Sequence, residues 1–315
     1  MTAPNRPARW LLLLAFAMIY TVWGSTYLAI HFAIQTIPPF MMTGTRFFAA
    51  GVILFSFAKL RGAAWPSLKQ WRSAAIIGFF LFLVNNGSIV WSEGHGVPTG
   101  IAAVLIATLP MWMVLLLWLK PGGKYPGGVV IAGIVIGFIG IILLADTDAT
   151  TVNPVGVVAL LIGSLAWAFG SLYSKSAPLP QSAAQANGME LLCGGTFQYI
   201  LSILVGEPAA LHVAQIAPLS LLGLGYLAIV SSVFTFSAYM WLIRVSKPAI
   251  VATYAYVNPV FAVLLGWLLA GEAVTPRTLI AAAIIIIAVI VVNVSQSRRQ
   301  VRVAPEGQVA IETAG

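Results

Sequence analysis

The chain has 315 residues, of which 60% are hydrophobic and only 8% charged, and its mean hydropathy is +0.97. A soluble domain carries roughly 25% charged residues, so a chain this apolar cannot cover a globule with solvated side chains. The single cysteine, Cys193, excludes a disulfide framework and any cysteine-based metal site.

Lipid is the remaining solvent, and a helix that spans it takes about 20 mostly apolar residues. Apolar runs between turn signals predict ten such helices, over residues 10–33, 39–59, 72–92, 98–119, 127–145, 154–175, 183–205, 218–241, 248–270 and 275–295. Proline and glycine mark nearly every break, from Pro38-Pro39 through Pro121-Gly122-Gly123 to Pro276. Residues 1–9 form a short leading segment, and the polar residues 296–315 are expected to be a disordered tail. The first run follows Arg6 and Arg9 but continues to Ile30 without a small-x-small site, so it reads as a retained helix rather than a signal peptide.

The predicted helices differ in what they carry. Helix 1 offers Tyr20, Trp23 and Tyr27, and helix 2 holds Arg46. Helix 3 aligns Asn85, Ser88 and Ser92 on one face, with Asn86 and Glu93 beside it. Helix 4 has Thr108, Pro110 and Trp112. Helix 5 is all hydrocarbon, with Gly133 and Gly137 forming a small-xxx-small packing step. Helix 6 aligns Ser164, Trp167, Ser171 and Ser174, helix 7 contains Glu190, and helix 8 aligns Ser231, Thr235 and Tyr239. Helix 9 has Thr253 and Tyr256 on one face, Tyr254 and Asn258 one turn apart, and Pro259. Helix 10 has no polar side chain between Thr278 and Asn293.

Polar groups in hydrocarbon need partners, so the striped faces of helices 1, 3, 4, 6, 8 and 9 are expected to point inward and wall a cavity. The candidate substrate-binding residues are Trp23, Asn85, Asn86, Ser88, Trp112, Trp167, Thr235, Tyr239, Tyr254, Tyr256 and Asn258. Each also has a structural reading, because hydroxyls at helix interfaces commonly bond backbone carbonyls and tryptophans near helix ends anchor at the interface. Pro110 and Pro259 each remove a backbone bond and are candidate bends. Arg46 should face protein or water, and Glu93 is the expected partner in a structural ion pair between helices 2 and 3. Titratable candidates for proton coupling are Glu93, His95 and Glu190. Glu272 is expected near the positive end of helix 10, with Thr275 as its cap.

Of the 16 basic residues, all but Arg46 and Arg277 fall on one side of this alternating layout. Lysine and arginine bias in short loops sets orientation, so both termini are expected in the cytoplasm. The net charge of +8 therefore records topology rather than a nucleic-acid footprint.

The halves 10–145 and 154–295 can be laid over each other. Pro110 and Pro259 are each followed eight residues later by a tryptophan, Trp118 and Trp267. A spacing of 144 maps Trp23 onto Trp167, and Gly44, Arg46 and Gly51 onto Gly188, Glu190 and Gly195. Five helices per half is an odd number, so the second half enters the membrane from the opposite face. An inverted repeat of this kind is a transporter signature with its site near the midplane. The expected fold is thus an all-α membrane protein of ten helices in two inverted five-helix repeats.

Several segments carry a resemblance: Trp23-Gly24-Ser25-Thr26-Tyr27, Pro39 through Arg46-Phe47, Gly96-Val97-Pro98-Thr99-Gly100-Ile101-Ala102-Ala103, Ala252-Thr253-Tyr254-Ala255-Tyr256-Val257-Asn258-Pro259, and Gly271-Glu272. In their order and spacing the chain resembles the drug/metabolite transporter superfamily, in particular its EamA-type ten-helix exporters. One departure is Gly122-Gly123, where such repeats often carry Gly-Glu. The resemblance implies export of amino acids or similar small metabolites by alternating access.

The cargo side of that expectation has support in the walls, which lack the lysine and arginine clusters that an anionic nucleotide sugar or phosphate would demand. Neutral, zwitterionic or aromatic-compatible cargo is favoured, either an amino acid or the wider range of a drug or aromatic-compound efflux carrier. An enzyme is the rival from another class, but the chain has no His-Glu-x-x-His, no Gly-x-Ser-x-Gly and no aspartate within a span. The expected partners are the bilayer and a small molecule, without cofactor, metal or nucleic acid, and the chain is expected to act as a monomer.

Overall fold

The computed structural model describes residues 8–123, 125–145, 153–246, 251 and 254–303. We label its long helices α1 (Arg9–Ala33), α2 (Pro39–Leu60), α3 (Leu68–Gly94), α4 (Thr99–Leu119), α5 (Gly128–Ala145), α6 (Pro154–Ser174), α7 (Ala183–Leu204), α8 (218–245), α9 (Tyr254–Leu269) and α10 (Pro276–Val303). Among the described residues six stretches are long and apolar enough to cross a membrane: α1, α2, α3, α4, α6 and Pro218–Tyr239 of α8. Shorter apolar helices cover Gly128–Leu143, Val257–Leu269 and Pro276–Val292. Large side chains such as Leu13, Val129, Leu222 and Ile280 lie on the outside, as expected where the surrounding solvent is lipid.

Local chemistry explains the helix starts. Ser67 and Gln70 form a reciprocal capping box on α3, while Asn153 and Ser182 cap α6 and α7 by accepting from Val155 N and Gln185 N. Prolines sit in the first turns of α2, α6, α8 and α10, where a missing N–H costs nothing. The residues before α2 and α4 are prolines, which offer no side-chain acceptor, and a distant glutamate serves each helix instead. Glu207 accepts from Phe40 N at 3.0 Å and Met41 N at 2.8 Å. Glu272 accepts from Thr99 N at 2.7 Å and Gly100 N at 3.4 Å. This corrects the expected role of Glu272: Thr275 does cap α10 through Thr278 N, but the Glu272 carboxylate serves α4.

α10 continues to Val303, past the expected end at 295, because Gln296, Arg298, Arg299 and Gln300 are good helix formers and continue the backbone ladder.

α2 packs along α7 and α5 along α10; α1 lies between α8 and α9, and α6 lies between α3 and α4. Glycines set the closest approaches. A methyl group at Gly51 would come within 2.7 Å of Leu192 N and 3.0 Å of Gly188 O, and one at Gly195 within 2.5 Å of Phe48 N and 3.1 Å of Gly44 O. In the α5–α10 contact, Gly133 and Gly140 face the side chains of Val292 and Ile285.

Two helices depart from α-geometry midway. α3 is π-helical over Phe79–Asn85 and α8 over Tyr226–Thr235. A π-turn holds an extra residue and frees backbone carbonyls, which need other donors. In α3 the Asn86 amide donates to Leu81 O at 2.9 Å, and Gln198 of α7 donates to Phe82 O at 2.7 Å. In α8 the Thr235 hydroxyl donates to Val230 O at 2.8 Å. The third departure is in α4, where the helix stops at Ile106, turns through Ala107 and Thr108, and resumes at Leu109.

Candidate functional site

Those three irregular stretches and their neighbours line a cavity of about 130 Å3. One water needs roughly 10–15 Å3 on the same scale, so the space suits a small solute. α1 contributes Trp23, Thr26 and Tyr27, α3 contributes Phe82, Asn85 and Asn86, and α4 contributes Ala107 and Leu109 at its break. Trp167 comes from α6, Ser231, Ser232 and Phe236 from α8, and Tyr254, Asn258 and Pro259 from α9. Among the described residues α5 and α10 contribute nothing to the wall, whereas α2 adds Arg46 and Phe47 and α7 adds Leu191.

An aromatic cluster occupies the α1–α8–α9 side. Trp23 lies 4.9 Å from the ring of Tyr239 and 5.0 Å from that of Tyr254, the latter edge-on. Asn258 ties α9 to α1: with its amide nitrogen turned toward the surrounding carbonyls, it donates to Tyr20 O at 3.1 Å and to Ile19 O and Tyr254 O at 3.2 Å. On the α3 side Asn85 is 2% exposed, and its Nδ2 has no hydrogen-bond partner. An orphaned buried amide donor costs about 1–3 kcal/mol, which a ligand acceptor would recover.

Several expected site residues have other duties. Ser88 donates to Asn85 O at 2.7 Å and packs on Gly163 of α6, outside the wall. Thr235 closes the gap in the α8 ladder, and Tyr239 stands behind Trp23 as the second layer. Trp112 packs edge-on against Phe138 of α5 at 5.4 Å, away from the cavity. The side chain of Tyr256, and all of Ala252 and Thr253, lie outside the described residues.

The charged candidates also separate. Arg46 is buried and forms no ion pair with Glu93; its Nε donates to Ser232 Oγ at 3.0 Å and its Nη2 to Ser231 Oγ at 3.2 Å. The expected α2–α3 pair is thus replaced by an α2–α8 contact, because the π-turn brings adjacent serines to the guanidinium. Glu93 is buried with neither carboxylate oxygen hydrogen-bonded, outside the cavity wall. His95 is exposed, stacked on Trp91 at 4.2 Å, and Glu190 is buried on α7 outside the wall.

The prolines behave differently from each other. Pro110 follows the α4 break, where Thr108 donates to Leu105 O and Ser164 of α6 donates to Ile106 O at 3.2 Å. Pro259 lies within α9, which remains helical across it. Sequence reasoning did not anticipate either π-stretch, the Gln198 clamp or the serine pair on Arg46. The only available signal was the run of polar residues along helix 7, which reads as buried duty once α7 is seen against α2 and α3.

The sequence signature of the EamA-like transporter family matches residues 8–145 and again residues 154–294. The chain is 40% identical over 283 residues to YedA of Escherichia coli K12, described as an uncharacterized inner membrane transporter, covering 90% of each chain. It is 23% identical to the uncharacterized transporter YoaV of Bacillus subtilis, covering 92% of this chain and 99% of YoaV. Protein PecM of Dickeya dadantii is 26% identical, covering 90% and 93%. A solved crystal structure shares the fold with a TM-score of 0.59 at 19% identity, covering 90% of this chain and 96% of its own.

Proposed function

Since the chain belongs to the EamA-like transporter family and is a multi-pass membrane transporter, we propose that it exports amino acids or similar small neutral or zwitterionic metabolites by alternating access. In this reading residues 10–145 and 154–295 are two inverted five-helix halves that close in turn around the cavity. The protein works as a monomer in the inner membrane, with both termini in the cytoplasm.

The observation that carries the cargo reading is the wall itself: an unpartnered Asn85 amide and a cluster of aromatic rings in one cavity built from helices of both halves. Supporting the paired halves, one family signature matches once in each, and the glycine contacts cross between them, Gly51 with Gly188 and Gly44 with Gly195. α3 and α8, third in their respective halves, both carry a π-stretch. Supporting the orientation, the basic residues gather on one side of the alternating loops, and YedA is called an inner membrane transporter.

Counterflow of radiolabelled amino acids in proteoliposomes tests the cargo. Uptake should exceed that of protein-free vesicles and fall about tenfold in Asn85→Ala or Trp167→Ala with expression intact. No amino acid moving faster than the background would end this assignment. A second reading, broad aromatic-compound efflux, draws on the Trp23–Tyr239–Tyr254 cluster. It requires transport of cationic or neutral aromatic dyes that amino acids do not compete away.

A further inference from the structure

Resting on the transport reading, the chemistry of the wall narrows the cargo further. Arg46 is 7% exposed and lines the cavity, and its guanidinium has five N–H donors. Two of them meet Ser231 and Ser232, and the Phe47 ring lies 4.7 Å from the charge. The other polar group close by is Tyr226, whose hydroxyl is engaged with that of Ser25 at 2.6 Å. Serine and tyrosine hydroxyls orient a guanidinium but do not neutralise it, and among the described residues no carboxylate pairs with it. A buried charge without a counter-charge is costly, and an anion entering the cavity would offset that cost. Leu191 and Phe47 in the same wall add no acceptor.

Across the same cavity the Asn85 Nδ2 donor also lacks an acceptor. Two independent deficits therefore have the same sign: both ask for a hydrogen-bond acceptor, and one asks for negative charge. Trp23, Tyr254 and Trp167 of the same cavity suit an apolar or aromatic body. We propose that Arg46, oriented by Ser231 and Ser232, is the anchor for a carboxylate on the cargo, with Asn85 as a second donor. The carboxylate then bridges α2 and α3, while the guanidinium that holds it joins α2 to α8. The cargo class is carboxylate-bearing small molecules, amino acids among them, and excludes amines and amides of the same shape.

Three probes of one aromatic shape separate these classes: phenylalanine, 3-phenylpropionate and phenylalaninamide. Binding to the purified full-length protein is followed by tryptophan fluorescence, since Trp23 and Trp167 line the cavity. Phenylalanine and 3-phenylpropionate should bind at least about tenfold more tightly than the amide, the ratio expected for one charge-assisted hydrogen bond. Arg46→Gln should bring the three within about threefold, while Arg46→Lys keeps part of the preference. Should Arg46→Gln fail to fold, Ser231→Ala with Ser232→Ala should weaken carboxylate binding without changing amide binding, and the wild-type comparison needs no variant.

Equal binding of amide and acid, a preference that survives Arg46→Gln, or silence from both carboxylates overturns the anchor. Competition by chloride with the same Arg46 dependence makes this an inorganic-anion site and also overturns it. Counterflow that treats phenylalanine and its amide alike removes the anchor and leaves the transport reading. Carboxylate-selective binding without counterflow removes the transport reading and leaves the anchor.

Discussion

α2 meets α7 through Gly44, Gly51, Gly188 and Gly195, and α5 meets α10 through Gly133, Gly137 and Gly140. Both seams use small residues to bring helices close, as expected where lipid supplies no hydrophobic drive between them. They differ in what surrounds the glycines. Around the α2–α7 seam sit Arg46, Glu190, Gln185 and Gln198, all buried, and backbone meets backbone. Around the α5–α10 seam sit aliphatic side chains that can give way, and neither helix reaches the cavity. One seam holds polar machinery in register beside the site, and the other closes the bundle against lipid.

The sharpest way to break that contrast is to overfill both seams. Gly51→Leu places a branched side chain against the backbone of α7, which cannot retreat without moving the cavity wall. Destabilisation of about 3 kcal/mol or more, read as loss of folded protein in fluorescence-detected size exclusion, is expected. Gln198→Leu comes next: it strips the donor from Phe82 O and should cost about 1–3 kcal/mol, measured as a lowered thermal midpoint in detergent. Glu272→Ala removes an acceptor from two N–H groups of α4 and should cost roughly 0.5–2 kcal/mol by the same measurement. Gly133→Ala meets Val292 Cγ2 at 3.0 Å, a side chain free to rotate, and should stay below about 1 kcal/mol. A Gly133→Ala loss equal to that of Gly51→Leu would erase the distinction between the seams.

The contrast also explains what could be read in advance. Trp23, Asn85, Trp167, Tyr254 and Asn258 line the cavity, on inward faces where amide and aromatic groups are kept out of lipid. The apolar character of helices 5 and 10 was visible in composition alone. The expected α8 stripe of Ser231, Thr235 and Tyr239 rests on 3.6 residues per turn, and of the three only Ser231 lines the cavity. The π-stretch over Tyr226–Thr235 shifts that phase, so Ser231 and Ser232 reach Arg46 while Thr235 turns to its own backbone. Glu272 and Glu207 were beyond reach for another reason. Each caps a helix more than 160 residues away, a contact that neither periodicity nor local cap rules encode.

The crossed glycines have a consequence for anyone who would recombine this protein. Gly51 lies against Gly188 and Gly195 against Gly44, so each position is constrained by a residue in the other half of the chain. The two halves therefore cannot diversify independently. A chimera that joins residues 8–145 to the second half of a relative keeps its seam only if that half brings small residues to the places of Gly188 and Gly195. Mutational libraries confined to one half will show these sites as intolerant, whereas paired libraries that trade bulk across the seam will recover variants that single-half screens discard.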